Sequence, residues 1–332
     1  MIDNIDITWH KSFAKNWLDR IEQDRLPHAV LLAGPGGVGK RAAAAWMAAR
    51  HLQISNQPVL PQFPAQIAAH ADMRWITPLE DKQAIGIDQI RDLVAEMNLT
   101  SYKGGGKVAV IEPAETMTNN AANSLLKTLE EPNGDALLIL VADRKGRLPA
   151  TLFSRCQRID FAVPAEPESL DWLDRIQPGS SWAEALSLAG NAPLDAIAAM
   201  DQLDTHAAMS RDFAAVAAGR DSALDVAARW AKLDTGFVLD WLARQVQGAI
   251  FRANDAAKGG GRATIDESVL KRMDRRNLFC YLDIINRLRG QPGGSYNVQL
   301  TLEGLLIDLS EGLKNCAANS PGSEILKMTV QR

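Results

Sequence analysis

Apolar positions along this chain follow two different periods, and the change between them divides it. In the first half, the continuous apolar runs HAVLLA (residues 28–33), KVAVI (107–111) and ALLILVA (136–142) predict short buried strands. Between them the spacing is helical. Ile87, Ile90, Leu93, Val94 and Met97 share one face, and so do Ala121, Ala122, Leu125, Leu126 and Leu129, with Thr118 as cap and Pro132 as stop. Strands alternating with helices predict a mostly parallel sheet over residues 1–162. Residues 53–70 hold three prolines and no period, which predicts a loop. A proline-marked linker then leads into a small helical unit, 163–206. From 207 to 332 only helical stripes remain: Val238, Leu242, Val246, Ala249 and Ile250; Leu278, Leu282, Ile285 and Leu288; Val298, Leu302, Leu305, Leu306 and Leu309. The glycine-rich stretches near 256–264 and 289–297 predict connections, and the last 17 residues a frayed tail.

Composition changes this picture little. In 332 residues, 46% are hydrophobic and 23% charged, an ordinary globular balance. The lack of a long apolar run and of a signal-peptide core predicts a soluble, cytoplasmic protein with no membrane partner. Three dispersed cysteines supply no disulfide framework and no four-cysteine metal site, and the five histidines have no metal-ligand spacing. A net charge of −4 argues against general coating of nucleic acid. Seven basic residues (Arg252, Lys258, Arg262, Lys271, Arg272, Arg275, Arg276) among four acidic ones read first as a solvated face.

The chemistry concentrates after the first strand. Gly34-Pro35-Gly36-Gly37-Val38-Gly39-Lys40, followed by an alanine-rich helix, has the pattern of a phosphate loop. In such a loop the glycines let backbone N–H groups face an anion at a helix N-terminus, and the lysine adds a charge near the outer phosphates. The next position should carry the hydroxyl that binds Mg²⁺, and here it is Arg41. At the end of the second strand Glu112 stands where a metal-organising carboxylate belongs, as a degenerate Walker B element, but Pro113 follows in place of a water-orienting acid. Ala142 ends the third strand without a polar sensor. These departures all predict a site that is vestigial or binds without hydrolysis, with no metal. Binding of ATP or ADP through Gly34, Gly36, Gly37, Gly39, Lys40 and Arg41 stays open.

Two further stretches, NNAANSLLKTLEEPNGDALLILVAD (119–143) and LPATLFSRCQRIDF (148–161), resemble the clamp-loader branch of the AAA+ ATPases, and within it the delta-prime family of bacterial DNA polymerase III. Weaker matches at 70–93 and 295–309 extend the resemblance over nearly the whole length. It implies an AAA+-like α/β P-loop domain with a parallel sheet (1–162), a small helical lid (163–206) and an all-α oligomerisation collar (207–332). It also implies that the Ser154-Arg155-Cys156 triplet presents Arg155 as an arginine finger, acting in trans on a neighbour's ATP, with Ser154 as its motif neighbour. Lys127 falls near the chamber that receives DNA, as a phosphate contact or a solvated residue. Cys156 reads as a small buried hydrophobe.

The partners implied are ATPase subunits and a delta-type subunit in a hetero-pentamer, acting on a sliding clamp and primer-template DNA. Two departures from the family pattern qualify it. The loop at 53–70 has no cysteine, so no zinc is expected, and the lid stretch AGNAPLDAI, which matches the one that carries an arginine in active loader ATPases, has Pro193 and no arginine. An active ATPase subunit of the same loader is the first alternative, favoured by Lys40. A free-standing P-loop kinase or DNA-repair ATPase is the second.

Overall fold

The computed structural model describes residues 4–80, 82–102, 104, 106–130, 134–143, 148–254, 275–291 and 296–314. They fall into two compact units, residues 1–201 and 202–332.

The first unit is built on five parallel strands: β2 (Ala29–Ala33), β4 (Met73–Ile76), β5 (Lys107–Ile111), β6 (Ala136–Ala142) and β7 (Gln157–Asp160), in the order β4-β5-β6-β2-β7. Apart from Lys107 at the start of β5, the central strands are apolar because both faces of the sheet are covered. Ala29, Leu31 and Ala33 of β2 pack with α3 (Ile87–Met97) and α4 (Asn119–Glu130). Val30 and Leu32 face the other way, towards α1 (Lys11–Glu22) and α2 (Lys40–His51). Alanine at 42–45, 48 and 49 makes α2 slim; all six residues are buried, and Ala43, Ala44 and Ala48 pack in the cluster with the sheet. Thr118 caps α4 as expected, accepting a hydrogen bond from Ala121 N–H at 3.2 Å.

A two-stranded antiparallel ribbon, β1 (Ile5–Asp6) with β3 (Gln62–Phe63), ties the loop at 53–70 to the N-terminus. After α5 (Ala150–Phe153) and β7, the lid helices α6 (Glu166–Ile176), α7 (Trp182–Leu188) and α8 (Pro193–Met200) complete the unit. Trp172 fixes the lid to the N-terminus by donating its indole N–H to Asp6 O at 2.8 Å.

The second unit holds α9 (Leu203–Ala217), α10 (Ala223–Trp230), α11 (Thr235–Asn254), α12 (Arg275–Arg289) and α13 (Val298–Ser310). The boundary expected at 206/207 lies inside α9, because the chain turns earlier, at Asp201–Gln202. Most of the three predicted stripes are buried, around Phe213, Trp230, Trp241 and Tyr281, and Tyr281 Oη donates to Leu305 O at 2.7 Å. Asn297 caps α13 by accepting from Leu300 N–H at 3.1 Å. Asn297→Ala should therefore cost about 1 kcal/mol, read from the denaturant midpoint of this unit; an unmoved midpoint would show that the cap contributes nothing. Among the described residues no helix is long and apolar enough to cross a membrane. Much of the expected basic segment (258–272) and the C-terminal tail from residue 315 lie outside the described residues.

Candidate functional site

In an open parallel sheet, ligands bind beyond the C-terminal ends of the strands. Here the exits of β2, β5 and β6 bring the phosphate loop, Glu112 and Asp143 to that edge. The loop leaves β2 through Gly34, whose N–H bonds Ala142 O at 3.3 Å. A side chain at Gly34 would collide with the carbonyl of Phe161, so the residue type follows from close backbone packing. Gly37 and Gly39 have φ of 66° and 94°, a left-handed turn that brings the chain into α2. Behind the loop lies the N-terminal segment. Trp9 Nε1 and His10 Nε2 are each 2.9 Å from Val38 O, and both donate to it. Sharing that acceptor requires His10 to carry its proton on Nε2. Burial lowers the His10 pKa to about 4, against the opposing effect of that hydrogen bond.

The loop lysine is fully engaged. Lys40 is buried, and its ammonium donates to Gly34 O at 3.0 Å and to Pro35 O, and pairs with Asp143 Oδ1 at 2.7 Å. Arg41 meets Glu112, Nη1 to Oε2 at 3.1 Å, and its guanidinium stacks over Trp75 at 5.4 Å. Trp75 Nε1 donates to the same Glu112 oxygen at 3.1 Å. Burial pushes the Glu112 carboxyl above the usual carboxylate range, while Arg41 and the indole pull it back. Arg41 thus already supplies a positive charge to Glu112. The residues present do not fit a magnesium–nucleotide complex. Among the described residues, no group of three or more His, Cys, Asp or Glu is placed to hold a metal ion.

The lid closes on the same loop. Leu194 N–H donates to Gly37 O at 3.0 Å. A methyl group added at Gly37 would overlap the Asp195 carboxylate, and one at Gly36 would lie 3.3 Å from Asp143 Oδ2 and 3.5 Å from Asp195 Oδ2. Neither aspartate stands out in the sequence. Asp143 is one residue past a strand, and Asp195 looks like any acid in a first helical turn.

Arg155 lies at the opposite edge. It precedes β7, whose register pairs Val30 with Gln157 and Ala33 with Asp160, so Arg155 belongs to the N-terminal edge of the sheet. Phe161 beside Gly34 is six positions further along the chain, a span of roughly 20 Å for extended chain. Its Nε donates to Glu130 Oε1 at 2.8 Å and its Nη1 to Thr151 O at 3.0 Å, with Ser154 Oγ at 3.4 Å. The structure therefore brings the loop residues, Glu112 and Asp143 together and sets Ser154 and Arg155 apart from them. Cys156 packs among apolar residues, and burial pushes its thiol up to about 11, which suits a core residue and not a nucleophile. Lys127 is exposed on α4.

Residues 9–165 match the sequence model of a family described as DNA polymerase III, delta subunit. DNA polymerase III subunit delta' of Pseudomonas aeruginosa is 40% identical over 186 residues, covering 51% of this chain and 54% of that protein. The subunit delta' of Escherichia coli K12 is 36% identical over 135 residues, 40% of each chain. This chain thus spans about half the length, or less, of the curated relatives it matches. Among solved structures, a DNA polymerase III gamma subunit-related protein from Thermotoga maritima aligns over 93% of this chain and 100% of its own, with 17% identity and a TM-score of 0.49.

Proposed function

We propose, from an α/β region related to the delta' subunits of DNA polymerase III, that this chain is a stator-like clamp-loader subunit. It hydrolyses no ATP itself and presents Arg155 to the ATP site of a neighbouring subunit during loading of a sliding clamp onto primed DNA. The observation that carries this reading is the position of Arg155. A permanently charged guanidinium lies on the sheet edge away from its own phosphate loop, within residues 9–165 that match the family described as DNA polymerase III, delta subunit. Such a group neutralises charge on a transferring phosphoryl, which its home site does not need if Arg41 and Asp143 occupy the positions of metal and phosphate. In the second unit Phe279, Leu300 and Ile307 stay exposed, and the last two lie seven residues apart on α13. That stripe supports assembly through the helical collar with ATPase and delta-type subunits, and Lys127 is a candidate DNA-phosphate contact.

The isolated chain is expected to turn over Mg²⁺-ATP well below about 1 s⁻¹, the low end of usual enzyme rates. Phosphate release from purified protein measures this. A rate at or above that value which disappears in Lys40→Ala would overturn the reading in favour of an active ATPase subunit. Gel filtration with separately purified loader ATPase subunits tests the other half of the proposal, and failure to form a stable complex would count against it.

A further inference from the structure

We propose that Asp143 and Asp195 act as internal anions that hold the phosphate loop closed, so that nucleotide binding at this loop is masked and not lost. The reading stands whether or not Arg155 serves a neighbour.

The cradle itself is intact. Gly37 and Gly39 keep left-handed backbone, Lys40 begins α2, and the helix N-terminus follows directly. What a polyphosphate would meet there is negative charge already in place. An ammonium has three N–H donors. In Lys40 they go to Gly34 O, Pro35 O and Asp143 Oδ1, leaving none for a phosphate oxygen. Asp143 is held at this position from its own backbone, since its N–H donates to Glu115 Oε1 at 3.0 Å. Asp195 arrives from the other side on α8, whose Leu194 N–H is bonded to the loop at Gly37 O. The two carboxylates converge on Gly36, one from the end of β6 and one from the lid.

An entering nucleotide must exchange one carboxylate for its phosphate on Lys40 while approaching the second at close range. Like charges brought that close oppose binding. Position 41 offers no hydroxyl to hold magnesium there, and the Arg41 guanidinium is already paired with Glu112. Each aspartate has an ordinary structural explanation, an ion pair with the buried Lys40 for Asp143 and a favourable first-turn charge for Asp195. Neither explanation predicts that removing both charges creates a ligand site.

The test is equilibrium dialysis of the full chain with labelled ADP and ATP, in EDTA. The unmodified protein should show no saturable binding up to about 1 mM, and Asp143→Asn/Asp195→Asn should bind at least about tenfold tighter. Adding Lys40→Ala to that variant should remove the gain, which excludes binding elsewhere on the surface. Both aspartates are exposed, so each single variant should fold, and each should show part of the gain. Micromolar binding by the unmodified chain would overturn the proposal. So would folded single and double variants that bind no better than the parent.

Discussion

Replacing Arg155 by alanine should leave a reconstituted loader assembled but slow its clamp loading and its DNA-stimulated ATPase. The side chain is about one-third exposed, and its ion pair with Glu130 lies at the surface. Exposed pairs of this kind contribute at most about 1 kcal/mol, so loss of folding would not explain a functional defect. An arginine finger accelerates phosphoryl transfer by roughly 10³–10⁵ at the site it serves. Only one site of several in the complex would lose it, so total ATPase should fall partially, while loading, which needs the whole cycle, falls further. Arg155→Lys should behave almost as badly, because a point charge does not reproduce the planar, forked contact with a transferring phosphoryl group. Steady-state ATPase and loading of labelled clamp, on complexes matched for composition by gel filtration, measure both effects. Unmodified loading by Arg155→Ala complexes would remove the finger assignment. Complexes that failed to assemble would instead make Arg155 an interface residue.

The parts of the fold legible in the sequence are those governed by local period. KVAVI and ALLILVA became strands over those same residues, and the stripes of α3, α4 and the collar helices point into cores because burial on one face leaves a regular trace. Strands β4 and β7, MRWI and QRID, left none. They are the two edges of the sheet, four residues each, and carry arginine and aspartate on exposed positions.

The site shows the same division. The phosphate loop and Glu112 were visible as contiguous motifs, and Arg41 was visible as a lost ligand. Its new partner was not, since Glu112 lies 71 positions further along the chain and the pairing depends on β2 and β5 ending at the same edge. Asp143, Asp195 and His10 reach the loop from a strand exit, the lid and the N-terminus respectively. Each converges only through tertiary structure, so no spacing rule points to any of them.

Acid should loosen the phosphate loop before it unfolds the rest of the first unit, and His10 is the group responsible. It is buried, with Nε2–H on Val38 O, and its folded pKa of about 4 lies below the value near 6.5 that applies in the unfolded chain. The sign follows from proton uptake. Above about pH 6.5 both states hold a neutral imidazole and the group has no effect on stability. Between 6.5 and 4 the unfolded chain takes up a proton that the folded chain refuses, so stability falls as pH falls; below about 4 both states are protonated and the loss levels off. At 1.36 kcal/mol per pH unit, the interval amounts to roughly 3 kcal/mol. Burial also lowers His206 in the second unit to about 4, so that unit should lose stability in the same direction. His10→Gln keeps a side-chain donor for Val38 O and removes the titration. Chemical denaturation at pH 7 and pH 4.5 should show His10→Gln somewhat weaker than the parent at neutral pH, but with a smaller drop on acidification. Hydrogen exchange should locate the difference at residues 7–10 and 37–40, where the N-terminal segment rests on the loop. Identical acid sensitivity in parent and variant would mean that protonation of this imidazole does not open the contact, and that the loop is held closed by Lys40, Asp143 and the lid alone.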